Sequence, residues 1–127
     1  MVKIAIVGSR NFTNYHLFKQ IVLNLLKDFQ NDYPNFDYSS ITIVSGGAQG
    51  ADTLAKKFAT EYNYDFIVFP PDWNTHGKAA GPIRNTLIVN ECTHMIAFPS
   101  KSGSIGTQDS ITKAKNNHKF LKIYEVD

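Results

Sequence analysis

The stretch Ile41-Thr42-Ile43-Val44-Ser45-Gly46-Gly47-Ala48-Gln49-Gly50-Ala51-Asp52 decides the fold. Its opening run, Ile41–Val44, is β-branched and too short for a helix, and it stops at Ser45-Gly46-Gly47. Beyond the glycines, Ala51, Leu54, Ala55, Phe58, Ala59 and Tyr62 recur at three- and four-residue steps. That spacing puts them on one stripe of a helix. The small residues in the stripe suit close approach to a sheet. The stretch therefore reads as strand, glycine turn, helix.

The same unit repeats on both sides. Upstream, Lys3–Val7 is an apolar strand that runs into Gly8. After it, Leu17, Phe18, Ile21, Val22, Leu25, Leu26 and Phe29 form the stripe of a helix of about four turns, with Thr13 or Asn14 as its cap. The polar and aromatic segment Asn31–Ser40 reads as a loop. Downstream, the strand Phe66–Phe69 is stopped by Pro70-Pro71, and Met95–Phe98 by Pro99. A helix from Ile83 to about Glu91, with Pro82 at its first position, separates them. A fourth helix, from about Thr107 to Asn117, precedes a closing strand, Phe120–Val126. Brief strands rich in Ile, Val and Phe are expected where both faces of a parallel sheet are buried. Four strand–helix units and a closing strand predict an α/β fold. Right-handed crossovers make it a Rossmann-like three-layer sandwich, with a five-stranded parallel sheet of order 3-2-1-4-5.

At 127 residues, the chain is expected to form one domain over 1–127. Hydrophobic residues are 43% and charged residues 19%, which excludes a disordered chain. Thirteen Lys and Arg against eleven Asp and Glu leave a net charge of +2. That is far from the basic excess of a nucleic-acid-binding domain, so a nucleic acid partner is not expected. The single cysteine, Cys92, excludes an internal disulfide framework. No apolar run reaches the ~18 residues of a membrane span. The start, Met1-Val2-Lys3-Ile4-Ala5-Ile6-Val7, reads as a strand and not a signal peptide, so a cytoplasmic protein is expected.

In such a sheet, ligands bind beyond the carboxyl ends of the strands, where the strand order reverses. The turns that follow the strands are therefore where chemistry can sit. They are Gly8-Ser9-Arg10-Asn11, Gly46 to Asp52, Pro70 to Asn85, and Ser100 to Asp109. Three of them are glycine-rich and open a helix, whose N-terminus presents free N–H groups to an anion. Arg10, Lys78, Arg84 and Lys101 fall on the same edge. Together they predict a pocket for a small anion. Neither G-x-G-x-x-G nor G-x-x-x-x-G-K-[ST] is present, so a plain NAD dehydrogenase and a P-loop NTPase are not expected.

The segments Gly8-Ser9-Arg10, Gly46 to Asp52, Asp72-Trp73, Gly77 to Asn85 and Gly103 to Asp109 appear in that order. Their series is similar to the YspA/YpsA-related branch of the SLOG superfamily, which includes the LOG phosphoribohydrolases and the DprA proteins. The block Ala80-Gly81-Pro82-Ile83-Arg84-Asn85 is the most specific part. The resemblance implies binding of a nucleotide or nucleotide-derived ligand: a nucleoside monophosphate, ADP-ribose or an NAD-type molecule. The protein would sense or sequester it.

The alternative is LOG-like cleavage of an N-glycosidic bond, which uses P-G-G-x-G-T-x-x-E. Here Gly106-Thr107 matches the central pair and Gly103-Ser104 falls at the Gly-Gly pair. The final Glu position is Ser110, with Asp109 one residue earlier.

The ligand-binding expectation thus covers Gly8, Ser9, Arg10, Gly46, Gly47, Gln49, Gly50, Asp52, Asp72, Trp73 and Lys78. It continues through Arg84, Asn85, Gly103, Ser104, Gly106 and Thr107. Asp109 and Arg84 are the catalytic candidates. Trp73, the only tryptophan, is a stacking platform or a seal on the core. Asp52 has either a dipole role at its helix start or a ribose to orient. His16, His94 and His118 are scattered, so no metal is expected, nor is a cofactor. A homodimer or higher homo-oligomer is expected, with the apolar first helix able to cover both sheet and partner.

Overall fold

The computed structural model describes residues 2–35 and 37–127. Met1, at the head of the first run, and Phe36, inside the expected loop, lie outside the described residues. The strands are β1 (Val2–Gly8), β2 (Ile41–Ser45), β3 (Asp65–Val68), β4 (His94–Phe98) and β5 (Phe120–Ile123). The helices are α1 (Tyr15–Asp32), α2 (Ala51–Glu61), α3 (Trp73–His76), α4 (Ala80–Glu91) and α5 (Ile105–Asn116). Every strand pair is parallel and the order is β3-β2-β1-β4-β5, as the alternation of patterns predicts.

The sheet separates two cores. On one face, Phe18, Phe29, Phe58 and Phe98 lie fully buried among residues from α1 and α2. Phe18 lies 5.3 Å from Phe98 and 6.1 Å from Phe58, ring centre to ring centre. On the other face, Val44, Ile88, Met95 and Ile111 are buried with Ala5 and Ala114 between the sheet, α4 and α5. Truncating a ring such as Phe18 to alanine costs about 3–5 kcal/mol.

Local chemistry moves several boundaries. Asn14 accepts a hydrogen bond from the Leu17 amide at 3.1 Å and caps α1. That helix continues to Asp32, so the expected loop loses its first two residues. At its other end, Tyr38–Ser40 is a 3₁₀ turn held by Asp37. Helix α4 begins at Ala80, three residues before the expected start. Pro82 is then the third helical residue, still within the first turn, where N–H groups have no intrahelical acceptor. Upstream of it, Trp73–His76 and Gly77–Ala79 are helical turns where a plain loop is expected.

Strands β3 and β5 are edges and are not buried on both faces. Val68, Phe120 and Ile123 are exposed. β5 ends at Ile123, and Val126 instead forms a parallel bridge with Ser100. The apolar residues Phe18, Ile21, Val22, Leu26 and Phe29 of α1 all face the core.

Candidate functional site

Parallel pairing sets Gly8 level with Phe98, so β1 and β4 end together at one edge. From there the chain enters α1 on one face and α5 on the other. This divergence is the topological switch point, and a cleft opens beside it. The cleft has two lobes, of about 350 and 410 Å³. Arg10, Ala48 and Arg84 line both, so the lobes share a wall.

The first lobe lies between the turns after β1 and β4. Gly8, Ser9 and Arg10 line one side, and Gly103, Ser104, Gly106 and Thr107 the other. Asp52 and Asn85 complete the expected residues there. The β1 turn is fixed by the Ser9 amide, which donates to the Phe98 carbonyl at 2.9 Å. The Ser9 carbonyl accepts from the Ala51 amide at 3.1 Å, which pins the start of α2. Gly50 makes that approach possible. Its φ is +77°, and a Cβ there would lie 2.3 Å from the Ser9 carbonyl oxygen. At the other side, the Ser104 hydroxyl accepts from the Ser100 amide and does not cap α5. The first N–H groups of α5 therefore belong to residues that line the lobe and have no side-chain cap.

The second lobe is lined by Gly47, Gln49, Pro71 and Trp73, together with the shared wall. Trp73 is 54% exposed and sits in α3, so it borders the cleft and does not seal the core. Asp72 lines neither lobe. Its carboxylate accepts from the Thr75 amide at 3.1 Å and caps the turn that carries Trp73. Hydrogen bonds from the Thr75 side chain and from its amide hold the Asp72 carboxyl below the usual range.

Arg84 stands at the junction. Its Nη1 donates to the Gly46 carbonyl at 2.8 Å and its Nε to Asn85 Oδ1 at 2.9 Å. Burial pushes its pKa down, Asp52 opposes that, and the charge of Arg10 adds to it. Gly46 does not line the cleft, but a Cβ there would fall 2.3 Å from Arg84 Nη1. Asp52 is only 7% exposed and accepts from the Ala48 amide at 3.0 Å. Burial pushes its carboxyl up, against the hydrogen bonds from Ala48 and Gly46 and the charges of Arg84 and Arg10. Asp52 therefore fastens the turn before α2 and lines the cavity.

Asp109 is not among the lining residues; Ser110 is. The Asp109 carboxylate accepts from Asn85 Nδ2 at 3.1 Å and from Lys113 at 2.8 Å. Partial burial raises its pKa, but these bonds and the Lys113 charge outweigh that and hold it low. Asn85 also donates to the Gly106 carbonyl at 3.3 Å, so one amide side chain ties Arg84 to the start of α5. Lys78 is exposed and lines neither lobe, and Lys101 pairs loosely with Asp127 at 3.6 Å. The expected residues omit Asn11, Ser100, Ser102, Ile105 and Ser110, which also line the first lobe. Their signal was present, since each lies in or next to a turn that follows a strand. Among the described residues no three His, Cys, Asp or Glu side chains are grouped to hold a metal ion. No described helix is long and apolar enough to cross a membrane.

Three comparisons bear on this arrangement. The curated "Gene 61 protein" of Mycobacterium phage D29 is 36% identical over 81 residues, 59% of this chain. That match spans 64% of the phage protein's length. Among solved structures, DNA processing protein A (DprA) from Streptococcus pneumoniae superposes with a TM-score of 0.69 at 18% identity. It covers 97% of this chain and 50% of DprA. The X-ray structure of TM1055, a structural-genomics target, gives a TM-score of 0.64 at 17% identity, over 95% of this chain and 72% of that one. At such identities the two structures speak for the fold. The family model for the YspA, cpYpsA-related SLOG family matches residues 2–76, from β1 through the Trp73 turn, and the chain belongs to that family.

Proposed function

We propose that this protein binds a nucleotide or nucleotide-derived anion in the two-lobed cleft and acts as a sensing or sequestering module. The observation that carries the reading is the convergence of Arg10 and Arg84 on the wall common to both lobes. Asp52 is the one carboxylate among the described lining residues, so the wall keeps a positive excess. The uncapped start of α5 adds backbone donors beside it.

A thermal-shift titration with AMP, ADP-ribose and NAD tests this. A ligand at 100 times its Kd adds about 2.7 kcal/mol of stability. For a chain of this size that raises Tm by roughly 8 °C or more. Arg84→Ala should remove most of the shift. No shift with any of the three would sink the reading.

LOG-like hydrolysis is the alternative. It fits the glycine turn at Gly103–Thr107, which does line the cleft. Against it, Ser110 stands where the motif has Glu, and Asp109 is held outside the lining. Binding without turnover is therefore preferred, and incubated nucleotides should be recovered intact. Release of free base from AMP would move the assignment to a phosphoribohydrolase.

A further inference from the structure

The sheet has two margins, and they are finished differently. β3 opens on Asp65 and runs into Pro70-Pro71, which have no N–H to donate. Charge and proline are common guards of an open strand edge. β5 has no proline, and its one charged residue is Lys122. That ammonium is drawn to Asp32 at the end of α1, 2.9 Å away, and does not guard the edge. Around it, Phe120, Ile123 and Tyr124 are 40–45% exposed.

The open edge is longer than the strand. The amides of Phe120, Tyr124 and Val126 donate to the carbonyls of Thr93, Ala97 and Pro99. Even-numbered residues from 120 to 126 thus turn their backbone toward β4 and the loop after it. By the alternation of an extended chain, Leu121, Ile123 and Glu125 turn their N–H and C=O groups away from the sheet. Side chains alternate as well. The Phe120 ring lies 3.8 Å from that of Tyr33, on the α1 side, and Leu121 packs into the core under α4 and α5.

This edge is complementary to itself. Let a second copy lie antiparallel, with the dyad at Lys122. Leu121 of each copy then stands opposite Ile123 of the other, and each pair exchanges two backbone hydrogen bonds through the outward groups. Phe120 meets Tyr124, and Lys119 meets Glu125, so apolar faces apolar and opposite charges face each other. Lys122 meets its twin, and each is already neutralised by its own Asp32. Moving the dyad to Ile123 would set Leu121 against Glu125; moving it to Leu121 would set Phe120 against Lys122.

We infer that β5 is a docking edge for a second copy of this chain, with β5 antiparallel to β5 across a dyad at Lys122 and the two sheets joined as one. The surface lies at the sheet margin and not on α1, whose stripe faces the core.

Sedimentation and deuterium exchange on the whole chain test this. The wild type should pass from monomer to dimer as its concentration rises. In the dimer the Leu121 and Ile123 amides should exchange about tenfold more slowly than in the monomer. The Tyr124 amide, already bonded to Ala97, should change little. Ile123→Pro removes an outward donor and no inward one, so it should abolish the dimer and leave Tm nearly unchanged. Ile123→Lys sets a charge opposite Leu121 and should weaken the dimer at least tenfold; it decides if the proline variant does not fold. A chain that stays monomeric at every concentration overturns the assignment. So does a dimer that persists unweakened in the variants, or one whose Leu121 and Ile123 amides exchange as fast as in the monomer.

Discussion

Arg84 is held by a carbonyl that only a glycine can present at that distance. Gly46→Ala would place a methyl group 2.3 Å from Nη1, and the far end of the arginine must move. Calorimetry should show nucleotide affinity reduced about tenfold, with little change in Tm. Gly50→Ala should behave in the opposite way. There the obstacle is the Ser9 carbonyl oxygen and the φ is +77°, so backbone must shift. Urea denaturation should show a loss of about 2–4 kcal/mol. These two glycines look alike in sequence, both being part of Gly46-Gly47-Ala48-Gln49-Gly50. Their different duties become visible only when Arg84, 38 residues away, is in place.

Asp109 is the converse case. Sequence position makes it an acid candidate, yet Lys113 stands four residues on, the spacing at which helical charges pair. That signal was legible and pointed to the ion pair. His94 shows a residue whose environment sequence does not reveal. It lies among Phe29, Tyr33 and Phe120, and its Nδ1 meets the Thr93 hydroxyl at 2.8 Å. Burial pushes its pKa down from 6.5 to about 4. The folded state then disfavours the proton that the unfolded chain accepts. Stability from this residue is complete above about pH 6.5, falls as the pH drops, and is lost by about pH 4. The loss should approach 3 kcal/mol by urea denaturation, and His94→Leu should flatten it.

Among the elements, strands and long helices follow from the periodicity because tertiary burial and local pattern agree there. Discrepancies gather where a cap or an edge decides. Helix α1 extends because Asn14 closes its first turn and the Tyr33 amide still reaches the Phe29 carbonyl at 2.8 Å. Asn14→Ala should cost about 1 kcal/mol, read from the denaturation midpoint. The α3 turn escapes periodicity because four residues hold no repeat; its only announcement is Asp72, which caps it. Asp72→Ala should loosen that turn, shift Trp73 emission to the red and weaken nucleotide binding severalfold. β3 and β5 carry at least as many Ile, Leu and Phe residues as each inner strand. Only their place in the order makes them edges, and no single segment encodes that.

For the molecule as a whole, a net charge of +2 conceals a polarised cleft. The two arginines at the junction concentrate positive charge over one wall and form no stripe across the surface. Affinity for a small anion should fall gently with salt, whereas a polyanion would release many counterions and weaken steeply. The order of strands and the edge where the cleft opens were both legible, because crossover handedness leaves little freedom once the units are counted. The two-lobed shape was not. It depends on Pro71 and Trp73 lining the same lobe as Gly47 and Gln49, a long-range juxtaposition that turn composition does not report.

The bridge between Ser100 and Val126 ties chain 124–127 to the loop that walls the first lobe. The Lys101 amide donates to the Val126 carbonyl, and the Val126 amide to the Pro99 carbonyl, each at 2.8 Å. Loop and segment are thus joined by backbone hydrogen bonds and should open together. In deuterium exchange, the amides of Lys101 and Val126 should slow together when the cleft fills, although Val126 lines neither lobe. The segment 124–127 would then report occupancy from a distance, and loosening it would make the cleft wall pliable without altering one atom of it.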